Sequence, residues 1–139
     1  MKPLSNFAST FHFIAALGLI SAVLTSNAHA ANAEQLLAGF VAQAGVPAAA
    51  ERRQQFFTSR HGQEWSCSSC HGAVPTQTGK HAATGKTIRA FAPAFNPERF
   101  TDTAKVEKWF RRNCNDVVGR PCSANEKADM LAWLLTLKP

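Results

Sequence analysis

Five residues near the middle of the chain, Cys67-Ser68-Ser69-Cys70-His71, constrain its fold more than any other feature. Cys-x-x-Cys-His is the covalent attachment pattern of a c-type haem. Two cysteines one short turn apart can add to the two vinyl groups of a porphyrin. The next residue, His71, is then held under the ring as a proximal ligand to the iron. The same spacing also serves dithiol redox pairs and half-sites for zinc. A thioredoxin-like pair opens a helix after a β-strand, and no strand pattern precedes Cys67. Structural zinc uses a second tight pair, and Cys114 and Cys122 are too far apart to form one. One haem c is therefore the expected cofactor.

The first thirty residues read as an export signal. Lys2 provides a thin positive start, Phe11 to Leu24 is almost wholly apolar, and Ala28-His29-Ala30 is a small-x-small cleavage site. The apolar run is shorter than the ~20 residues of a membrane span, so no stable membrane insertion is expected after cleavage. Residues 1–30 are taken as the signal peptide and 31–139 as one cytochrome c domain in the periplasm. Loss of Lys2 lowers the formal charge of +6 by one. The remaining basic residues are scattered, with only Arg52-Arg53 and Arg111-Arg112 adjacent. That scatter and the export signal argue against nucleic acid and for a basic face that steers an acidic redox partner. Export also permits disulfides. The four cysteines allow three pairings, and with Cys67 and Cys70 on haem only Cys114–Cys122 remains.

The apolar spacing predicts an all-α architecture, which with the haem motif is expected to be a small class-I-like cytochrome c fold. Asn32 is the expected cap of a first helix bearing Leu36, Leu37, Phe40 and Val41, stopped by Gly45. A second helix is expected from Pro47 through Phe56 and Phe57. Gly72 to Pro97, broken by Pro75, Gly79, Gly85 and Pro93, reads as a long ordered loop. Such a loop needs something to pack it, and Ile88, Phe91, Pro93 and Phe95 are its expected apolar contacts with haem. Thr101 or Asp102 should cap a third helix carrying Val106, Trp109 and Phe110 inward and ending near Asn113. Ser123 and Glu126 form a capping box for the last helix, whose apolar side is Met130, Leu131, Leu134, Leu135 and Leu137.

The sixth iron ligand is open on residue type alone. The one methionine of the mature segment, Met130, sits on the core face of the last helix; His61 and His81 are loop histidines; Asn113 reads first as a helix C-cap. A resemblance changes this weighing. Arg99-Phe100-Thr101-Asp102, Val106-Glu107-Lys108-Trp109, Arg112-Asn113-Cys114, Gly119-Arg120 with Cys122, Glu126-Lys127-Ala128-Asp129 and Leu131-Ala132-Trp133-Leu134 follow one another in order. Together with Thr84-Gly85-Lys86, Ala92-Pro93 and the Cys67–His71 motif, they resemble the sphaeroides haem protein family of small oxygen-binding cytochromes c.

The resemblance implies that Asn113 ligates ferric iron through its side chain and swings away on reduction, with Asn115 as the nearby alternative. It further implies that the Cys114–Cys122 disulfide confines the swing. A neutral amide oxygen is a weak, hard donor, so reduction would free the distal face for a diatomic ligand such as O2, CO or NO. The expected electron source is a partner cytochrome, multihaem c-type or membrane b-type. A plain carrier with a permanent sixth ligand, or a haem reductase or peroxidase, is the competing reading; no acid–base residue is recognisable beside Asn113 to favour an enzyme. Phe91 and Phe95 depart from the family pattern by adding aromatic bulk around Ala92-Pro93.

Overall fold

The computed structural model describes the backbone of residues 28–139, with side chains from Asn32 onward. The segment read as an export signal lies outside the described residues except for its last three, which fall in the first turn of α1 (Ala28–Ala44). Asn32 is therefore inside a helix that starts four residues earlier, not its cap. Along α1, Phe40 is buried while Leu36, Leu37 and Val41 pack half-buried against the core. Gly45 ends the helix at φ +68°, a left-handed conformation that costs glycine nothing.

α2 is Glu51–Thr58, shorter than the helix expected from Pro47. The reason is tertiary. The Ala49 amide donates to Asp129 on the last helix at 2.6 Å, which holds the chain after Pro47 out of helical geometry. α3 is the five-residue turn Cys67–His71. The following segment is an ordered loop, as its composition indicates. It also contains a two-residue antiparallel ladder, β1 (Gly79–Lys80) against β2 (Thr87–Ile88), and a 3-10 turn at Pro93–Phe95. The ladder is too short to leave an alternating pattern.

α4 is Thr103–Val118, and Asp102 is its cap, accepting a hydrogen bond from the Lys105 amide at 3.0 Å. The expected end near Asn113 is wrong. The helix continues for more than a turn and stops at Gly119, whose φ of +74° makes it the left-handed C-cap residue. The Asn115 and Asp116 positions are exposed and Val117 is buried, so the amphipathic pattern carries the helix past an asparagine that propensity alone would treat as a stop.

α5 is Ala124–Thr136 and has the expected capping box: the Glu126 amide donates to Ser123 and the Ser123 amide to Glu126. Met130, Leu131 and Leu134 are buried as expected, whereas Leu137 lies past the helix end. Asp129 and Trp133 are buried as well. α1 packs across α5, and Phe40 meets Phe110 of α4 edge to face at 5.7 Å. A disulfide joins Cys114 to Cys122 with Cα atoms 5.6 Å apart, tying the last turns of α4 to the start of α5.

Arg120 makes a two-pronged ion pair with Glu126, both contacts at 2.8 Å. These bonds first, and the Ser123 amide after them, hold the Glu126 carboxyl down to about 2 against the opposing effect of burial. Its ordinary value is 4.5. The stabilisation is therefore complete above that value and is lost as pH falls toward 2. Unfolding midpoints of the wild type should drop across that window, and Glu126→Gln should flatten the slope there by a modest amount.

Candidate haem site

The attachment turn is shaped by three local devices. Ser66 caps it: the Ser66 amide donates to Ser69 Oγ at 3.0 Å, and the Ser69 amide returns a bond to the Ser66 carbonyl at 3.1 Å. Gly72 ends it at φ +75°, where a side chain would be strained. Gly79 of β1 lies so close over the turn that a Cβ would collide with the Cys70 carbonyl oxygen. Gly79→Ala should therefore distort the cysteine spacing. The expected result is a several-fold loss of covalently attached haem per polypeptide, read by haem stain against total protein.

On this turn Cys67, Cys70 and His71 come together, and neither cysteine is in a disulfide. The Ala82 amide donates to Cys70 Sγ at 3.2 Å. Burial pushes the Cys67 thiol up to about 11 against the lowering charge of Arg53. Burial first, and the Arg99 charge second, push His71 down to about 4. Its imidazole is then neutral at pH 7, with the free lone pair that iron coordination requires. Aromatic rings surround it. Phe91 stacks on the imidazole at 4.8 Å and Phe57 lies 6.2 Å from it; Phe100 packs on Phe91, and Trp133 on Phe57. The Phe91 departure thus bears on the His71 side, while Phe95 is half-buried in the 3-10 turn.

Asn113 is not brought to His71. It is exposed in the middle of α4, and among the described residues its amide has no hydrogen-bond partner. Its place on the helix is informative. Val106 lies seven residues before it and Val117 four after, both buried, so Asn113 shares their stripe. Trp109, one turn earlier, is 42% exposed beside it. Asn115, also exposed, is turned by roughly 200° from Asn113 on the same helix. The other candidates lie in different surroundings. Met130 is buried in the core. His61 Nε2 bonds the Phe56 carbonyl at 2.7 Å, and His81 Nδ1 accepts from the Ala83 amide at 3.2 Å.

Two side chains of this region carry no motif, Arg53 and Asp129. Asp129, 1% exposed, accepts from the Ala49 amide and from Arg52, and stands 3.6 Å from the Arg53 guanidinium. The one sequence signal for Arg53 is its position four residues before Phe57 in a short amphipathic helix. Asp129 sits among apolar neighbours and gives no signal of its own.

Two unpaired cysteines on one short turn, a neutral imidazole next to them and an aromatic wall fit a single covalently attached haem c. This all-α chain is a c-type cytochrome. A family model described as Domain of unknown function (DUF1924) matches residues 43–134. The chain is 50% identical over 122 residues to the cytochrome c-type protein SHP of Cereibacter sphaeroides, covering 84% of this chain and 94% of that one. It is 48% identical over 80 residues to cytochrome c'' of Methylophilus methylotrophus, covering 58% and 56%. The structure of oxidised SHP, described as an oxygen-binding cytochrome c, superposes with a TM-score of 0.71 at 50% identity, covering 76% of this chain and 96% of that one. Oxidised cytochrome c'' superposes at 0.68 with 37% identity, covering 78% and 97%. The chain belongs to the sphaeroides haem protein (SHP) family and shares its cytochrome c-type fold.

Proposed function

We propose that this chain is a periplasmic cytochrome that accepts one electron from a partner cytochrome and binds a diatomic ligand when reduced. In this reading His71 ligates the iron permanently from one side. Asn113 ligates it from the other side only in the oxidised state. Haem c supplies the one-electron centre. His71 contributes a neutral, buried imidazole that the surrounding rings hold in place. Asn113 contributes an uncharged oxygen, which ferric iron tolerates better than ferrous iron.

The observation that carries the proposal is the place of Asn113 on the Val106–Val117 stripe, one residue before the disulfide. The staple anchors the end of α4 to α5, so release of the ligand is a side-chain rotation about Asn113 and not a loop movement. Two relatives add support: SHP is described as oxygen-binding, and the solution structure of cytochrome c'' concerns haem-ligand detachment. The periplasmic location rests on the apolar Phe11–Leu24 run and the Ala28-His29-Ala30 site. Among the described residues no helix is long and apolar enough to cross a membrane.

Visible spectra of the oxidised, reduced and carbon-monoxide-treated reduced protein test the reading. Low-spin oxidised iron that turns high-spin on reduction and binds carbon monoxide is expected. A reduced form that stays low-spin and ignores carbon monoxide would instead mean a permanent sixth ligand and a plain electron carrier.

A further inference from the structure

Two guanidinium groups stand near the attachment turn, with the Arg53 charge acting on Cys67 and the Arg99 charge on His71. On α2, Arg53 lies one turn before Phe57, so both side chains face the attachment turn. Arg53 is 3% exposed and lies 4.0 Å over the Phe56 ring; its Nε and Nη1 have no hydrogen-bond partner. Asp129 is the carboxylate within ion-pair distance of it, and exposed Arg52 shares that same carboxylate. On the opposite side, the Arg99 guanidinium stands 5.7 Å from the Phe91 ring that stacks on His71. Arg99 is fixed by neutral acceptors, with Nε on the Ala90 carbonyl at 3.1 Å and Nη2 on the Arg89 carbonyl at 2.9 Å. Among the described residues no carboxylate lies within ion-pair distance of Arg99; neighbouring Glu98 is taken by Arg89. This side thus carries one buried cation that shares its carboxylate with Arg52, and one half-exposed cation held by neutral acceptors alone.

We propose that Arg53, on the helix that carries Phe57, and Arg99, over the Phe91 ring that stacks on His71, set the reduction potential of this cytochrome by favouring reduced over oxidised iron. Oxidised iron carries one more positive charge than reduced iron. A fixed cation nearby, in a medium poorer than water at screening charge, therefore disfavours the oxidised form. One electron enters from the partner cytochrome, and no bond forms or breaks at either arginine. Both are positioning charges and neither touches the iron. The inference rests on haem attachment at Cys67, Cys70 and His71 and is independent of what Asn113 does.

Redox titration of the holoprotein and of its Arg99→Gln, Arg99→Lys, Arg53→Gln and Arg53→Lys variants tests it. At a fixed applied potential each Gln variant should show an about tenfold lower ratio of reduced to oxidised protein, a 59 mV fall for one electron. Each Lys variant should keep most of the wild-type value, because it keeps the charge. Unchanged midpoints in both Gln variants overturn the proposal, as do Lys variants displaced as far as the Gln ones. Should Arg53→Gln fail to fold, half-exposed Arg99 decides alone. The same shift should persist in an Asn113→Ala background, which separates this proposal from the distal-ligand reading.

Discussion

Replacing Asn113 by Ala should convert the oxidised protein from low-spin to high-spin while leaving the reduced, carbon-monoxide-bound spectrum unchanged. The expectation follows from the proposed ligation: the amide oxygen contributes only when iron is ferric, so only the ferric form loses a ligand. Small anions such as cyanide should bind the oxidised variant faster, since nothing has to leave first. The position of Asn113 makes the experiment clean. The side chain lies exposed inside α4, and the cap of that helix is Gly119. Alanine is the better helix former by roughly half a kcal/mol, so folding stability should hold or rise slightly. An unaltered oxidised spectrum in a folded variant would remove Asn113 from the iron and reopen the question of the sixth ligand.

Asp129→Ala should lower the stability of the holoprotein by about 3–5 kcal/mol, the usual cost of breaking one side of a buried ion pair. Asp129 is buried and ties α5 to the start of α2 through three contacts: the Ala49 amide, the surface Arg52 and the buried Arg53. Its loss strands Arg53, which already has two unpaired nitrogens. It also releases the segment before α2 that the Ala49 bond holds. For a domain near 100 residues the fall in melting temperature should be at least ~12 °C, read by circular dichroism. Asp129→Asn should cost less, because its side-chain oxygen can still accept from Ala49. A melting point unchanged in Asp129→Ala would show that the α2–α5 contact is held by apolar packing alone.

The parts of this molecule legible in its sequence are those set by neighbours in the chain. The attachment motif is five consecutive residues. The Ser123–Glu126 box spans one helical turn, and the stop of α1 at Gly45 depends on one backbone angle. The apolar stripes of α1 and α5 repeat at helical spacing and told which faces go inward, except at Trp133 and Asp129. Asn113 is the instructive failure of that local reasoning. An asparagine beside a cysteine looks like a helix end, yet the buried Val117 and the Cys114–Cys122 staple carry α4 past it.

By itself, then, the sequence determined the covalent haem chemistry, the all-α class and the pairing left to Cys114 and Cys122. These follow from residue type and short spacing, which no distant contact can alter. Only the tertiary structure decided where α2 begins, that Asp129 is a buried hub, and that Arg53 lies buried over Phe56 while Arg99 stands over the Phe91 ring beside His71. Those features depend on partners many residues apart, 80 in the case of Ala49 and Asp129. A charge buried by packing has the same letter as one left in water, and its energy is set by the environment that folding builds around it.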